Sequence, residues 1–460
     1  MNTAVNITTD PVPRVIGAIA VPASVGFFFN TMFNVVDTYF AGVISTQALA
    51  ALSLSFPVFF IIIALGSGVA TGTTALMATA LGAGEIDRAR MFAVQGFVFG
   101  GLLSIILTAV GLVASQPVFS VLGASGNYME TALLYMETIF HGAFFFIMAY
   151  MLNAVLNALG DTRSFRNVLV ATFFLNILLD PWFIYGWFGF PALGIRGIAL
   201  ATVVCQVIGC LYLGYRVYRT DLMCRDCIRE AVPKAHAFRE IFAQGLPTSM
   251  NFITVGLGIF VITYFISSYG KEAVAAYGVA TRIEQILLLP VLGLNIATLT
   301  IVAQHNGARL FERIFDTVGA ALRYGGLVMA AGTIVLFLGA GHLMGLFTDD
   351  AAVVGIGTYY LRIAAFLLYS YVILYVNVAA LQGMKEPGYG LAIGMLRQIV
   401  LPLVVFPLLS RFFHLELKGI WWGIFIINWF AAALTVLYTR GRLRKILYPA
   451  GRRDRLHHDI

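Results

Sequence analysis

The stretch "VPASVGFFFNTMFNVVDTYFAG", Val21–Gly42, holds one charged residue, Asp37, in 22 positions. About 20 apolar residues at 1.5 Å each carry an α-helix across a bilayer core, so this run reads as a membrane span with an acid inside it. Runs of the same kind recur along all 460 residues, and the composition agrees, with 60% hydrophobic residues, 11% charged residues and a mean hydropathy of +0.88. Soluble domains carry roughly a quarter charged residues, so a soluble globular protein is excluded. Forty-six glycines without a triplet period and only four cysteines exclude a collagen-like fibre and a disulfide scaffold.

Twelve spans are read, at 14–41, 48–80, 91–115, 130–158, 165–189, 195–218, 241–268, 273–305, 315–340, 352–384, 388–411 and 418–440. Their apolar stretches are continuous instead of alternating, which makes the chain all-α and not a β-barrel. The longest must tilt, kink or protrude. The first segment keeps polar residues inside it and reads as a retained helix, not a signal peptide. With a cytoplasmic amino terminus, 23 Lys and Arg, Arg397 among them, fall on one face and 6 on the other. That bias predicts both termini in the cytoplasm and explains the net charge of +7 without nucleic acid, since the loops between spans are too short for such an interface.

The two halves align at an offset of 225 residues without a gap over about 60 positions. Pro22 pairs with Pro247, Tyr39-Phe40 with Tyr264-Phe265, Ala50-Ala51 with Ala275-Ala276, Gly68 with Gly293, and Gly82-Ala83 with Gly307-Ala308. With a small slip, "NALGDT" around Gly160 pairs with "ALQGMK" around Gly383, and Pro181 with Pro402. Six spans per half is an even number, which predicts two six-helix bundles related by a pseudo-twofold axis along the membrane normal. The expected division is 1–218 and 241–440, joined by a basic cytoplasmic linker at 219–240 and followed by a basic tail at 441–460.

No nucleotide-binding, metalloprotease or nucleophile-elbow motif occurs, so the chain is read as a non-enzyme without cofactor. "GSGVATG", Gly66–Gly72, lies inside an apolar helix without a lysine and reads as close helix packing. Cys224 and Cys227 have C-x-x-C spacing but lack two further zinc ligands, so they read as a reduced, incidental pair.

Carboxylates inside spans are costly and mark function. Asp37, Asp180, Glu137 and Glu284 are such residues, and Asp37 and Asp180 precede Gly42 and Gly186 by five and six positions, which gives them one depth. Neither is duplicated: Asp37 aligns with Ile262, and Asp180 with a position near Leu401. Asn176 lies one turn before Asp180. Tyr135 and Asn153, 18 residues apart, share a face of a continuous fourth span, with Asn157 one turn beyond. Such a pocket takes up a proton, or binds Na⁺ through carboxylate, amide and hydroxyl oxygens; interhelical hydrogen bonding is the competing reading. Pro22, fifteen residues before Asp37, removes a backbone hydrogen bond and favours a bend, either static or biased by protonation. Glu284 and Arg282 line a cavity in the second half or lie near its outer mouth. Glu137 and His141, one turn apart, read as a local hydrogen-bonded pair or an extension of a proton path.

With "NAVLNALGDT", "NILLDP", "GIRGIALAT", "LPTSMNF", "VAQHNGA" and "AALQGMKEP" added to the opening stretch, the chain resembles the MATE (multidrug and toxic compound extrusion) family, in its DinF-like branch. The resemblance implies that Asp37, Asn176, Asp180, Asn153, Tyr135 and Thr202 form an amino-lobe proton or cation site, with Na⁺ at Asp37, Asn176, Asp180 and Thr202. It implies a monomeric antiporter of the cytoplasmic membrane that exports small organic cations by alternating access, driven by H⁺ or Na⁺. Acids that the NorM-like branch has in its seventh and tenth helices are missing around Val255 and Tyr371, which disfavours a carboxy-lobe Na⁺ site. Two other classes compete. A lipid-linked oligosaccharide or lipid flippase would show a more cationic cavity, and a prenyl-transfer enzyme would need a D-x-x-x-D cluster.

Overall fold

The structure, a computed structural model, describes residues 5–220, Leu222 and 231–447. Lipid offers no hydrogen-bond partners, so spanning segments must close their backbone bonds internally. Accordingly the described residues form fifteen α-helices and no strand: α1 Val12–Ile44, α2 Thr46–Gly82, α3 Ile86–Val121, α4 Gly126–His141, α5 Ala143–Ala158, α6 Thr162–Tyr185, α7 Ile195–Tyr218, α8 Ala235–Ser267, α9 Lys271–Gly307, α10 Phe311–Gly345, α11 Ala351–Ala364, α12 Leu368–Gly383, α13 Gly388–Met395, α14 Leu401–Pro407 and α15 Glu416–Leu447. A 3-10 turn joins α11 to α12, and a π turn at Leu396–Val400 joins α13 to α14, which is followed by a second at Leu408–Phe412. Among the described residues, eleven apolar stretches are long enough to cross a bilayer singly, and α4 with α5 makes the twelfth.

That twelfth span departs from expectation. The sequence suggested one helix over 130–158, whereas the chain bends by 46° at Gly142. Val203 of α7 sits where a side chain at Gly142 would go, with its Cγ1 2.8 Å from an ideal Cβ, so α7 packs into the break. Tyr135 and Asn153 therefore stand on separate helices, and five uninterrupted turns do not connect them. The Cys224 and Cys227 pair lies outside the described residues. Beyond it, Gln95 of α3 holds the approach to α8, donating to the Val232 carbonyl at 2.8 Å and accepting from the Lys234 amide at 2.9 Å.

Contacts divide the chain into two compact units. The amino-terminal unit comprises Val25–Leu81 and Glu85–Met250; the carboxy-terminal unit comprises the described residues up to Ser24, Gly82–Gly84 and those from Asn251 onward. Helices α1 and α8 thus each begin in one unit and end in the other. In the amino-terminal unit α8 crosses α2 at Gly68, where a Cβ would stand 2.6 Å from the Ser249 Cα. In the carboxy-terminal unit α1 crosses α9 at Gly293, where a Cβ would stand 2.9 Å from the Ser24 amide nitrogen. The Ser24 hydroxyl reaches the Pro290 carbonyl at 3.5 Å, and the Ser249 hydroxyl reaches the Leu65 carbonyl at 3.4 Å. All three residue pairs are separated by 225, the interval of the repeat. The Gly-rich run at Gly66–Gly72 therefore serves packing: a Cβ at Gly72 would stand 2.7 Å from the Gly245 nitrogen.

Candidate functional site

The site is assembled from three helices of the amino-terminal unit. Asp37 comes from the last two turns of α1 and Asp180 from the last two turns of α6, which Gly186 ends in the left-handed conformation at φ 74°. Thr202 comes from α7, drawn close to α6 because Gly197 has no side chain; a Cβ there would stand 2.7 Å from the Phe183 carbonyl carbon. Two loop bonds fix that approach, from the Leu193 amide to the Phe183 carbonyl at 3.0 Å and from the Gly194 amide to the Ile184 carbonyl at 3.3 Å.

One amide bridges the two acids. Asn176 Nδ2 donates to Asp37 Oδ1 at 3.1 Å and to Asp180 Oδ1 at 3.0 Å. The Thr202 hydroxyl lies 3.1 Å from Asp37 Oδ2 and 3.0 Å from the Ile198 carbonyl, and its single proton serves one of the two at a time. Asn176 and Asp180 are both 0% exposed and Asp37 is 6% exposed, so bulk solvent does not reach the pair. Two adjacent ionised carboxyls without a cation are untenable there. Among the described residues Asp180 Oδ2, Asn176 Oδ1 and Asn153 Oδ1 are buried with no hydrogen-bond partner. The unpaired Asp180 and Asn176 oxygens are what a bound proton or an oxygen-seeking monovalent cation would satisfy.

The other expected residues divide. Tyr135 is buried on α4 within electrostatic reach of both acids. Asn153 and Asn157 are buried on α5, and no described hydrogen bond joins them to the network. Pro22 lies inside the unbroken α1, two residues before the helix passes between units. His141 Nδ1 meets the backbone carbonyl of Glu137 at 2.6 Å, so their local bond does not involve the Glu137 carboxyl. In the carboxy-terminal unit the repeat partners of the acids, Ile262 and Leu401, pack as half-buried apolar residues. Removing the Thr202 hydroxyl deletes one hydrogen bond to a carboxylate, worth about 1.5–3 kcal/mol. Thr202→Val is expected to weaken the coupling ion about tenfold or more by that measure, read as a raised half-saturating ion concentration in a transport assay.

A profile of the MatE family matches residues 22–182 and 247–408, one copy in each half of the chain. The chain belongs to the MatE family. It is 28% identical over 439 residues to the multidrug export protein MepA of Staphylococcus aureus (strain bovine RF122 / ET3-1), covering 94% of this chain and 95% of that one. It is 27% identical over 426 residues to a probable multidrug resistance protein NorM of Thermotoga maritima, covering 91% and 90%. A solved MOP superfamily transporter from Pyrococcus furiosus superposes with a TM-score of 0.90 at 26% identity, covering 97% of this chain and 99% of that one. This MatE protein is therefore a multi-pass membrane transporter and not an enzyme.

Two features of this MatE chain lay beyond the sequence reading. Glu284 of α9 is buried with both carboxyl oxygens 3.2 Å from the Tyr360 hydroxyl, whose single proton serves one of them at a time, while Arg282 faces outward. Tyr277 and Tyr360 pack on Trp421, with ring centroids 5.9 and 4.7 Å away. The repeat carried a signal for this contact, since Tyr360 stands 225 positions after Tyr135. The second feature is a correction. Arg397 was counted with the cytoplasmic charges, but it lies nine residues into the span Gly388–Phe412, in the π turn, and is half-buried.

Proposed function

We propose that this transporter is an antiporter that exports amphiphilic organic cations, with H⁺ or Na⁺ entering through the site of Asp37, Asn176, Asp180 and Thr202. The observation that carries the reading is the single Asn176 amide shared by two buried carboxyls, one of which keeps an unpaired oxygen. The cargo class rests on the relatives' descriptions as a multidrug export protein and a probable multidrug resistance protein.

The physical logic is charge neutralisation. The paired acids require a positive partner, and an entering ion supplies it. Asn176 and Thr202 hold the carboxyl oxygens in place, so loading or emptying the site changes hydrogen bonds on α1, α6 and α7 together. Coupling follows only if ion and cargo favour opposite states of an alternating-access cycle, because a ligand shifts an equilibrium by its differential affinity alone. Tyr135, Asn153, Asn157 and Glu284 serve as cavity residues in this reading, and Pro22 as a flexible point on α1. The protein works as a monomer in the cytoplasmic membrane with both termini inside, its two sequence repeats at 1–218 and 241–440 joined by the linker at 219–240.

The test is efflux of a fluorescent organic cation from proteoliposomes under an imposed pH gradient and, separately, an imposed Na⁺ gradient. Acceleration by one gradient identifies the coupling ion. Equal leakage under both, from protein shown to be folded, would end the antiport reading.

A further inference from the structure

Arg362 and Lys418, far apart in sequence, are brought together on the exposed side of the carboxy-terminal unit. Helix α11 packs on both α10 and α15, and its Tyr359 and Arg362 stand one turn apart on its exposed face. The Arg362 guanidinium lies 6.0 Å from the centre of the Phe337 ring on α10, and the Lys418 ammonium of α15 lies 5.6 Å from the centre of the Tyr359 ring. Trp422 of α15 holds that tyrosine, its indole N–H donating to the hydroxyl oxygen at 3.3 Å.

This side of the unit is apolar around the two cations. On α10, Phe337 shares a helix face with Ile334 and Leu338; on α15, Trp422 shares one with Ile426 and Phe430, and all six are exposed. Exposed apolar surface of that extent in a spanning chain is surface for acyl chains. Depth places the cations at the edge of the hydrocarbon. The span Ala351–Gly383 has 33 residues. At 1.5 Å each it measures about 50 Å against about 30 Å of hydrocarbon, so about 10 Å projects at each end. Arg362 lies 11 positions after Ala351, about 17 Å along the helix and about 7 Å inside the boundary. Side chains on a helix tilt toward its N-terminus, which here is the near surface, so Arg362 snorkels to the headgroups. Lys418, the third residue of α15, stands at the same end.

The protein supplies no anion for either cation. Among the described residues no ion pair or hydrogen bond involves Arg362 or Lys418. Asp350, at the head of α11, is committed to the Ala352 and Val353 amides at 2.9 and 3.2 Å. Glu416 precedes Lys418 by two positions, a spacing at which helical side chains do not face each other.

We propose that Arg362 and Lys418, with the Tyr359 ring between α11 and α15, form a binding site for an anionic phospholipid such as phosphatidylglycerol, in the leaflet where α11 and α15 begin. The guanidinium takes the phosphate through two parallel N–H groups, the ammonium adds a second positive charge, and the acyl chains lie along α10 and α15. Two adjacent cations select the anionic class, because the amine of a zwitterionic lipid would meet like charge. A lipid fits where a soluble anion does not, since only its chains cover the apolar faces on either side. Arg362 stands 225 positions after Glu137, so the repeat puts an acid at the corresponding place in the amino-terminal unit and confines the site to one half.

The test uses the purified full-length protein in phosphatidylcholine vesicles, with brominated phosphatidylglycerol or brominated phosphatidylcholine added in increasing fraction. Bromine quenches tryptophan on contact, and Trp422 stands at the site. The parent is expected to favour the glycerol lipid about fivefold or more over the choline lipid. Arg362→Gln should bring the two lipids to within about twofold of each other, with Arg362→Lys keeping part of the preference and Lys418→Gln losing part of it. Arg323→Gln, which removes another exposed arginine of α10 from nearer its other end, should leave the preference unchanged. Equal quenching of the parent by both lipids would overturn the site, and so would an undiminished preference in Arg362→Gln. A preference lost equally in Arg323→Gln would assign it to the overall charge of the protein and overturn the site as well.

Discussion

Asp180→Asn is expected to reduce gradient-driven efflux to the leak of protein-free liposomes, with Asp37→Asn doing the same, while both variants fold and still bind an organic cation. The reasoning is electrostatic. An amide at either position keeps the shape and the hydrogen bond to Asn176 but removes the negative charge that makes ion uptake favourable in a fully buried site. Because the two acids share one amide donor, their effects should not add: the double variant should transport no worse than either single one, as expected for groups that act as a unit. Purely structural acids would behave otherwise, with Asn tolerated at either position, gradient-driven transport retained and stability unchanged. Measured transport near the parent's rate in Asp180→Asn would remove the coupling role from this site.

Gly68→Ala and Gly293→Ala are expected to lower the melting temperature sharply although each adds one methyl group. At Gly68 the new carbon would stand 2.6 Å from the Ser249 Cα, and at Gly293 2.9 Å from the Ser24 nitrogen. These are backbone atoms, so no rotamer change relieves the clash, and overpacking of this kind costs about 1–3 kcal/mol or more. Gly101→Ala in α3 is the control, since nothing lies within 4 Å of its Cβ and helix propensity there favours alanine. Melting curves of Gly68→Ala and Gly293→Ala that coincide with that of Gly101→Ala would show that the two crossings are not tight.

The spans were legible because lipid enforces length and polarity on each one, and Asp37 and Asp180 were legible because an acid in such a run is conspicuous. The bend at Gly142 was not. A glycine in an apolar helix is common, and what packs into the break there is Val203, distant in sequence. The helical phase between Tyr135 and Asn153 was lost with it. Thr202 entered only through family resemblance, since a threonine in a span carries no signal of its own and its role comes from the Gly197 contact that draws α7 against α6. Arg397 was misplaced for a different reason: tallying basic residues by face assigns every charge to a loop, while this one stands nine residues deep in its span.

The amino-terminal segment bears on how the chain is made. Ile7 is buried, with its carbonyl 3.1 Å from Nε2 of His305, 298 positions away, and Arg313 binds the Thr9 and Asp10 carbonyls. Ribosomes add roughly 5–20 residues per second, so about 15–60 s separates synthesis of this segment from that of its partners. During that interval the first half of α1 is already in the membrane without the α9 surface it will pack against. Release of a stalled nascent chain just before α9 should therefore yield a protein whose segment Ile7–Asp10 is open to protease, and release just after α10 should close it.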